Sequence, residues 1–181
     1  MSKLRDEAID EVIRIEGGYV KDPQDSGGAT KFGVTEYVAR NYGYTGPMHA
    51  MSRVFAVAVY QDKYWHKLEL DNIEHLSPLI AEEMIEAGVN IGTQRTAEYL
   101  QRCLNVLNLN ATAYADLAVD GAVGPNTLQA LRAYLDRRGE EGDRVLFRML
   151  NCLQGNHYIT LAERRSKDEK FVFGWFRNRV A

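Results

Sequence analysis

Three side chains near the amino end, Glu16, Asp25 and Thr30, are of types that can share a proton transfer and a water attack between them. They lie in one segment, Glu16-Gly-Gly-Tyr-Val-Lys-Asp-Pro-Gln-Asp25-Ser-Gly-Gly-Ala-Thr30-Lys-Phe-Gly33. Glu16 closes a predicted helix, where the negative end of the macrodipole disfavours ionisation and suits the residue to donate a proton. Cleaving a glycosidic bond takes one protonated carboxyl for the leaving oxygen and one ionised carboxylate to activate water or offset positive charge. Glu16 and Asp25 fit those roles. In the inverting arrangement the carboxyls stand about 6.5–9.5 Å apart, and the Thr30 hydroxyl can orient the water between them. The plain alternative is a helix-terminal surface acid, an Asx-turn residue and a strand hydroxyl. An acid at the unfavourable end of a helix dipole, beside two glycines, costs stability without structural return, which favours the chemical reading.

The elements that must place these groups can be read from the spacing. Ser2 is positioned to cap a first helix whose apolar residues Leu4, Ala8, Ile9, Val12 and Ile13 recur at helical intervals, and Gly17-Gly18 ends it. The turn residues between Tyr19 and Gly33 predict a small β-hairpin, with Tyr19, Val20, Ala29 and Phe32 on its edges. Helices are expected over 35–41 and 52–65, each with a hydroxyl residue at its N-cap. Ser77-Pro78 opens another helix running to Gly92, and Thr93 caps the next, to about Leu109. The block Asp120-Gly-Ala-Val-Gly-Pro-Asn-Thr127 reads as a tight turn feeding a helix that ends near Gly139, and a further amphipathic stretch runs from Asp143 to about Arg165. The fold class is therefore mainly α with one small β-hairpin near the amino end. With 181 residues, 45% hydrophobic and 26% charged, the chain reads as one compact domain over 1–181, softly divisible into 1–110 and 111–181.

Several chemistries are disfavoured. His49, His66, His75 and His157 show no zinc spacing, so no metal site is expected and no cofactor is needed. Cys103 and Cys152 lack C-x-x-C spacing and read as buried thiols, with a disulfide between them the alternative. The Asp120-Gly121 turn lacks the alternating oxygen ligands of a calcium loop. A formal net charge of −3 makes no case for nucleic acid. Yet residues 161–181 hold six Lys or Arg against three acids, interleaved with Phe171, Phe173, Trp175 and Phe176. That tail either meets anionic lipid or packs as a terminal helix; the close spacing of its aromatics favours packing.

The segment E-G-G-Y followed by D-P-x-D-x-G-G-x-T-x-x-G resembles the opening signature of glycoside hydrolase family 108, the phage and bacterial N-acetylmuramidases. The resemblance continues through Tyr60-x-x-x-Tyr64-Trp65, Ala87-Gly-Val-Asn90-Ile-Gly92, the Asp120–Thr127 block and Gly174-Trp175-Phe-Arg-Asn-Arg179-Val180, in order along nearly the whole chain. It implies a lysozyme-like helical enzyme that cuts between N-acetylmuramic acid and N-acetylglucosamine, with a carboxy-terminal segment similar to peptidoglycan-binding ones. Glu16 takes the place of the proton donor. Asp25 and Thr30 follow, although Asp22 lies in the same turn and competes for the second carboxylate role. Tyr19, Tyr64, Trp65 and Asn90 are candidate substrate contacts; for Tyr64 and Trp65 the alternative is the core, and for Asn90 it is capping its own helix.

The start of the chain carries charges throughout, and its apolar runs are far shorter than the roughly 20 residues that span a bilayer. The expectation is a phage endolysin made in the host cytoplasm, acting as a monomer on the periplasmic wall after release by a separate holin-type pore, with bacterial peptidoglycan as its partner. A lytic transglycosylase, which needs the Glu but no water-activating carboxylate, is the rival among enzymes. A non-catalytic peptidoglycan-binding module is the rival outside them.

Overall fold

A computed structural model describes residues 3–20 and 28–180, with the backbone alone at Ile15 and Glu16. The chain forms two compact units, 1–66 and 67–181. As the periodicity predicts, both are mainly helical, and among the described residues the strands are confined to one small sheet near the amino end.

In the first unit, α1 (Lys3–Glu16) buries Ile9 and Ile13 and packs on α3 (Arg53–Tyr60). The predicted cap of α1, Ser2, lies outside the described residues. The sheet has three antiparallel strands where a two-stranded hairpin is predicted, β1 (Tyr19–Val20), β2 (Thr30–Lys31) and β3 (Val34–Thr35), in the order β1-β2-β3. Thr30 sits opposite Val20 on one side and Thr35 on the other. The third strand arises because Phe32-Gly33, with φ of 52° and 72°, forms a two-residue turn with both angles positive, the geometry that matches strand twist. Thr35 then caps α2 (Glu36–Asn41), accepting from the Val38 amide at 3.3 Å.

Ser52 caps α3 in the same way, its hydroxyl accepting from the Phe55 amide at 3.2 Å, a bond type worth about 1 kcal/mol. The helix predicted to reach Trp65 instead widens after Tyr60 into a π-helical segment, Gln61–His66. Such segments occur often at functional sites.

The second unit begins with α4 (Leu70–Leu76), a helix that sequence periodicity alone does not reveal. It is entered through Glu69 in a left-handed conformation. In α5 (Pro78–Ile91), Ser77 Oγ accepts from the Ile80 amide at 3.0 Å and donates to Asp143 Oδ1 at 2.6 Å. Thr93 does not cap α6 (Thr93–Leu107): Gly92 holds the cap position, and Thr93 is already the first helical residue. The helical run α7 (Pro125–Arg164) breaks at Gly139, whose φ of 58° and ψ of −151° suit only a residue without Cβ. Cys103 is buried, with desolvation pushing its thiol up to about 12; Cys152, expected to be buried, is exposed, and both are free.

The aromatic and basic tail packs as a terminal helix, α8 (Glu169–Arg179), on α7. Trp175 stacks on Tyr158 with centroids 5.0 Å apart, beside buried Ala87 and Ile91. Arg179 stands 3.8 Å from Glu86. Among the described residues, no helix is long and apolar enough to cross a membrane.

Candidate active site

α1 ends at Glu16, and Gly17 closes it with a φ of 77°, its amide donating to the Ile13 carbonyl at 3.2 Å. A left-handed residue directly after the last helical turn is the usual C-terminal stop, and glycine takes it without a Cβ clash. Gly18 then leads into β1. Because β2 returns antiparallel with Thr30 opposite Val20, the Thr30 backbone lies one strand spacing, about 4.8 Å, from a residue only a few positions after Glu16. Asp25, and Asp22 as its competitor, lie outside the described residues.

A cleft of about 590 Å³ runs beside this junction, lined by Gly17, Gly18, Phe32, Glu11, Arg14 and Arg53 among others. That volume is within the range of small-molecule sites. Arg14 grips Glu11 with two hydrogen bonds, 2.8 and 2.5 Å, which hold the Glu11 carboxyl below its ordinary range. Arg53 pairs with Asp10. The charged groups along the cleft are therefore paired with one another, and Ile13 and Phe32 add apolar surface between them.

Tyr19 is 42% exposed and meets His49 edge-on at 6.2 Å. Half-buried Tyr64 stacks on Tyr60 at 5.5 Å, with Lys63 Nζ 5.1 Å above its ring. Trp65 is 0% exposed and takes the core alternative. Asn90 belongs to the second unit, where its Nδ2 donates to the Glu86 carbonyl at 2.8 Å and to Glu86 Oε1 at 2.6 Å. It thus bonds back along α5 rather than capping it.

Two features of the first unit were not read as site features from sequence. Phe32, a non-glycine residue at positive φ, carries its side chain to the cleft; an aromatic directly before Gly in a short turn was the available signal. Tyr42 donates to Asp62 Oδ2 at 2.8 Å, and desolvation followed by that carboxylate pushes its hydroxyl up to about 12. That pair joins the end of α2 to the π-helical segment carrying Tyr64.

In the second unit the Asp120–Thr127 block is an ordered turn. Gln101, 1% exposed on α6, donates Nε2 to Asp120 Oδ1 at 2.8 Å and to the Ala122 carbonyl at 2.9 Å, and accepts from the Gly121 amide at 3.1 Å. Asp120 also accepts from the Ala122 amide at 2.9 Å.

The first unit thus ends a helix on an acid beside a small sheet, and the second holds an ordered Asp-Gly turn. Residues 9–92 match the family Glycosyl hydrolase 108, and residues 95–180 match the Predicted Peptidoglycan domain. Together the two matched segments support a peptidoglycan hydrolase. Among solved structures it is similar to SagA of Brucella abortus, with a TM-score of 0.61 and 21% identity over 98% of each chain, a likeness of fold. No curated protein matches the chain.

Proposed function

We propose that this chain is a muramidase that hydrolyses the β-1,4 bond between N-acetylmuramic acid and N-acetylglucosamine, with Glu16 as general acid. The observation that carries the reading is the junction itself: α1 stops at Glu16 on a left-handed Gly17, and the sheet that follows brings Thr30 back opposite Val20. In the proposed reaction Glu16 gives its proton to the leaving glycosidic oxygen as that bond breaks. A water held by Thr30 attacks the anomeric carbon from the opposite face and passes its proton to Asp25. Both protons are accounted for, and the product carries a free reducing end. Tyr19 and Tyr64 offer the rings on which sugars stack, since the Trp65 ring is buried and the Asn90 amide is engaged by Glu86.

On this reading the enzyme is a monomeric phage endolysin, made in the host cytoplasm and released to the wall by a holin-type pore, and its action lyses the cell. The deciding experiment is mass spectrometry of fragments released from purified peptidoglycan by the wild-type chain and by Glu16→Gln. Reducing-end muramic acid that disappears in the variant supports the proposal. Anhydro-muramic ends would make the enzyme a transglycosylase, and reducing-end N-acetylglucosamine would move the cut to the other glycosidic bond.

A further inference from the structure

Lys63 and Trp65 give the helix after α3 a reason to widen. In a straight α-helix Lys63, four positions after Val59 and seven after Ala56, would fall on the buried face, and Trp65, five after Tyr60, would leave it. The π-helical turn closes five residues on instead of four, which lets Trp65 follow Tyr60 into the core and keeps the Lys63 ammonium in water. Tyr64 is left at the boundary, half-buried, stacked on Tyr60 at 5.5 Å with Lys63 Nζ 5.1 Å above its ring. Stacking on Tyr60 does not by itself fix the turn, because residues four apart also meet in an ordinary α-helix.

The turn is pinned from outside its own helix. The Tyr42 hydroxyl donates to Asp62 Oδ2 at 2.8 Å. Tyr42 is itself held, because its amide donates to the Val38 carbonyl at 3.1 Å, and Gly43, with a φ of 81°, gives its amide to the Arg40 carbonyl at 2.9 Å. Arg40 Nη1 donates to the carbonyls of Tyr44 and Gly46, each at 2.7 Å, so the backbone is braced before and after Tyr42. Burial, then the Asp62 carboxylate, push the Tyr42 hydroxyl up to about 12, which keeps it a donor at neutral pH. A hydroxyl on a carboxylate is a bond to a charged acceptor, stronger than one between neutral groups. Asp62 moves with the turn and Tyr42 does not, so this bond favours the π-helical form over the α-helical one.

We infer that Tyr42 is a positioning residue for the glycan: through Asp62 it holds the π-helical turn, and the turn sets the Tyr64 ring where a sugar stacks on it. The inference rests on reading Tyr64 as a sugar contact of a glycan-cleaving enzyme and adds the residue through which that contact is fixed. The Tyr42 hydroxyl is engaged by Asp62 and acts on the sugar only through Tyr64.

The test measures binding of a peptide-free tetrasaccharide of alternating N-acetylglucosamine and N-acetylmuramic acid to the full chain. It is read from the NMR shifts of the amides of residues 60–66, in a Glu16→Gln background so that the ligand is not consumed. We expect Tyr42→Phe to weaken binding about fivefold and Tyr64→Ala about tenfold, with the double variant no weaker than Tyr64→Ala alone. Asp62→Asn, which keeps an acceptor oxygen, should retain most of the affinity, and Asp62→Ala should match Tyr42→Phe. Absence of shifts in 60–66, unchanged binding by a folded Tyr42→Phe, or losses that multiply in the double variant each overturn the inference; a residue that only stabilised the fold would give one of the last two. If Tyr42→Phe does not fold, the Asp62 variants decide, and equal binding by both overturns it. Cleavage of peptide-free glycan strands by the wild type is assayed separately: cleavage without the Tyr42 effect removes this inference alone, and Tyr42-dependent binding without cleavage removes only the muramidase reading.

Discussion

Gln101 on α6 reaches Asp120 at 2.8 Å, and the same buried amide also binds the Ala122 carbonyl and the Gly121 N–H. One side chain thereby satisfies a turn about twenty residues away, and the energetic consequence is asymmetric. Gln101→Leu keeps the volume but leaves a backbone donor, a backbone acceptor and a carboxylate oxygen without that partner. A loss of about 2–4 kcal/mol is expected, read as a lower midpoint in urea denaturation. A loss under about 0.5 kcal/mol would mean that solvent replaces the amide at no cost.

Thr30 is expected to affect the rate more than binding. Thr30→Ala removes the hydroxyl assigned to the attacking water and should lower kcat by about ten- to a hundredfold with KM little changed. Thr30→Ser should restore most of the loss. Turnover of a labelled glycan strand measures both, and a KM effect alone would make Thr30 a binding residue.

Asp25→Asn and Asp22→Asn separate the two candidates for the second carboxylate. The variant that loses cleavage by about a hundredfold or more, while circular dichroism stays unchanged, identifies the one that handles the water. If neither loses activity, the water-activating role falls away and the transglycosylase reading gains.

Gly17→Ala tests the junction. A Cβ there meets nothing within 4 Å, so crowding is not the cost; the φ of 77° is. An alanine held in that conformation should cost about 1 kcal/mol of stability, seen as a lower Tm. If it relaxes by extending α1, glycan turnover should fall as well, because Glu16 no longer ends the helix.

Glu83 should give the second unit a pH-dependent stability. Burial, with the Glu86 carboxylate beside it, pushes its carboxyl up to about 7, against a hydrogen bond from Asn151. Glu83 Oε1 is a buried acceptor with no partner among the described residues, which disfavours the charged carboxylate. In the unfolded chain the group titrates near 4.5. Between these values the folded state holds a proton that the unfolded state has released. Stability is thus full below about 4.5, falls as pH rises toward 7, and levels off above it, for a total of about 3 kcal/mol. Glu86, also raised by burial, adds in the same direction. Glu83→Gln should flatten much of that slope in denaturation series at pH 4.5 to 8, and an unchanged slope would assign it to other groups.

Much of the helical frame was legible in the residues, and the reasons are local. Ser52 and Ser77 accept the amides expected of N-caps, Pro78 and Pro125 sit at first helical positions, and Gly17 and Gly139 interrupt helices where their φ values require glycine. Failures came where long-range packing outweighs local preference. The turn at Phe32 departs from its backbone preference to complete a third strand. The helix through Trp65 widens into a π segment with that ring buried. Cys152 lies on an amphipathic stretch but faces solvent.

The sequence by itself determined which groups are available for chemistry and where the helices that carry them stop: Glu16 before two glycines, Thr30 in a strand-forming stretch, Asp120 in a tight turn. Periodicity, capping and turn preference depend on neighbours a few residues away, so a linear reading contains them. Only the tertiary structure decided that Gln101 holds the Asp120 turn, that Asn90 bonds to Glu86, and that the aromatic tail docks through Trp175 on Tyr158. The turn and tail contacts join residues far apart in sequence, and the Asn90 amide selects among partners that spacing leaves open. Geometry chooses in each case because leaving a buried polar group or a large ring unmatched costs more than any local preference gains.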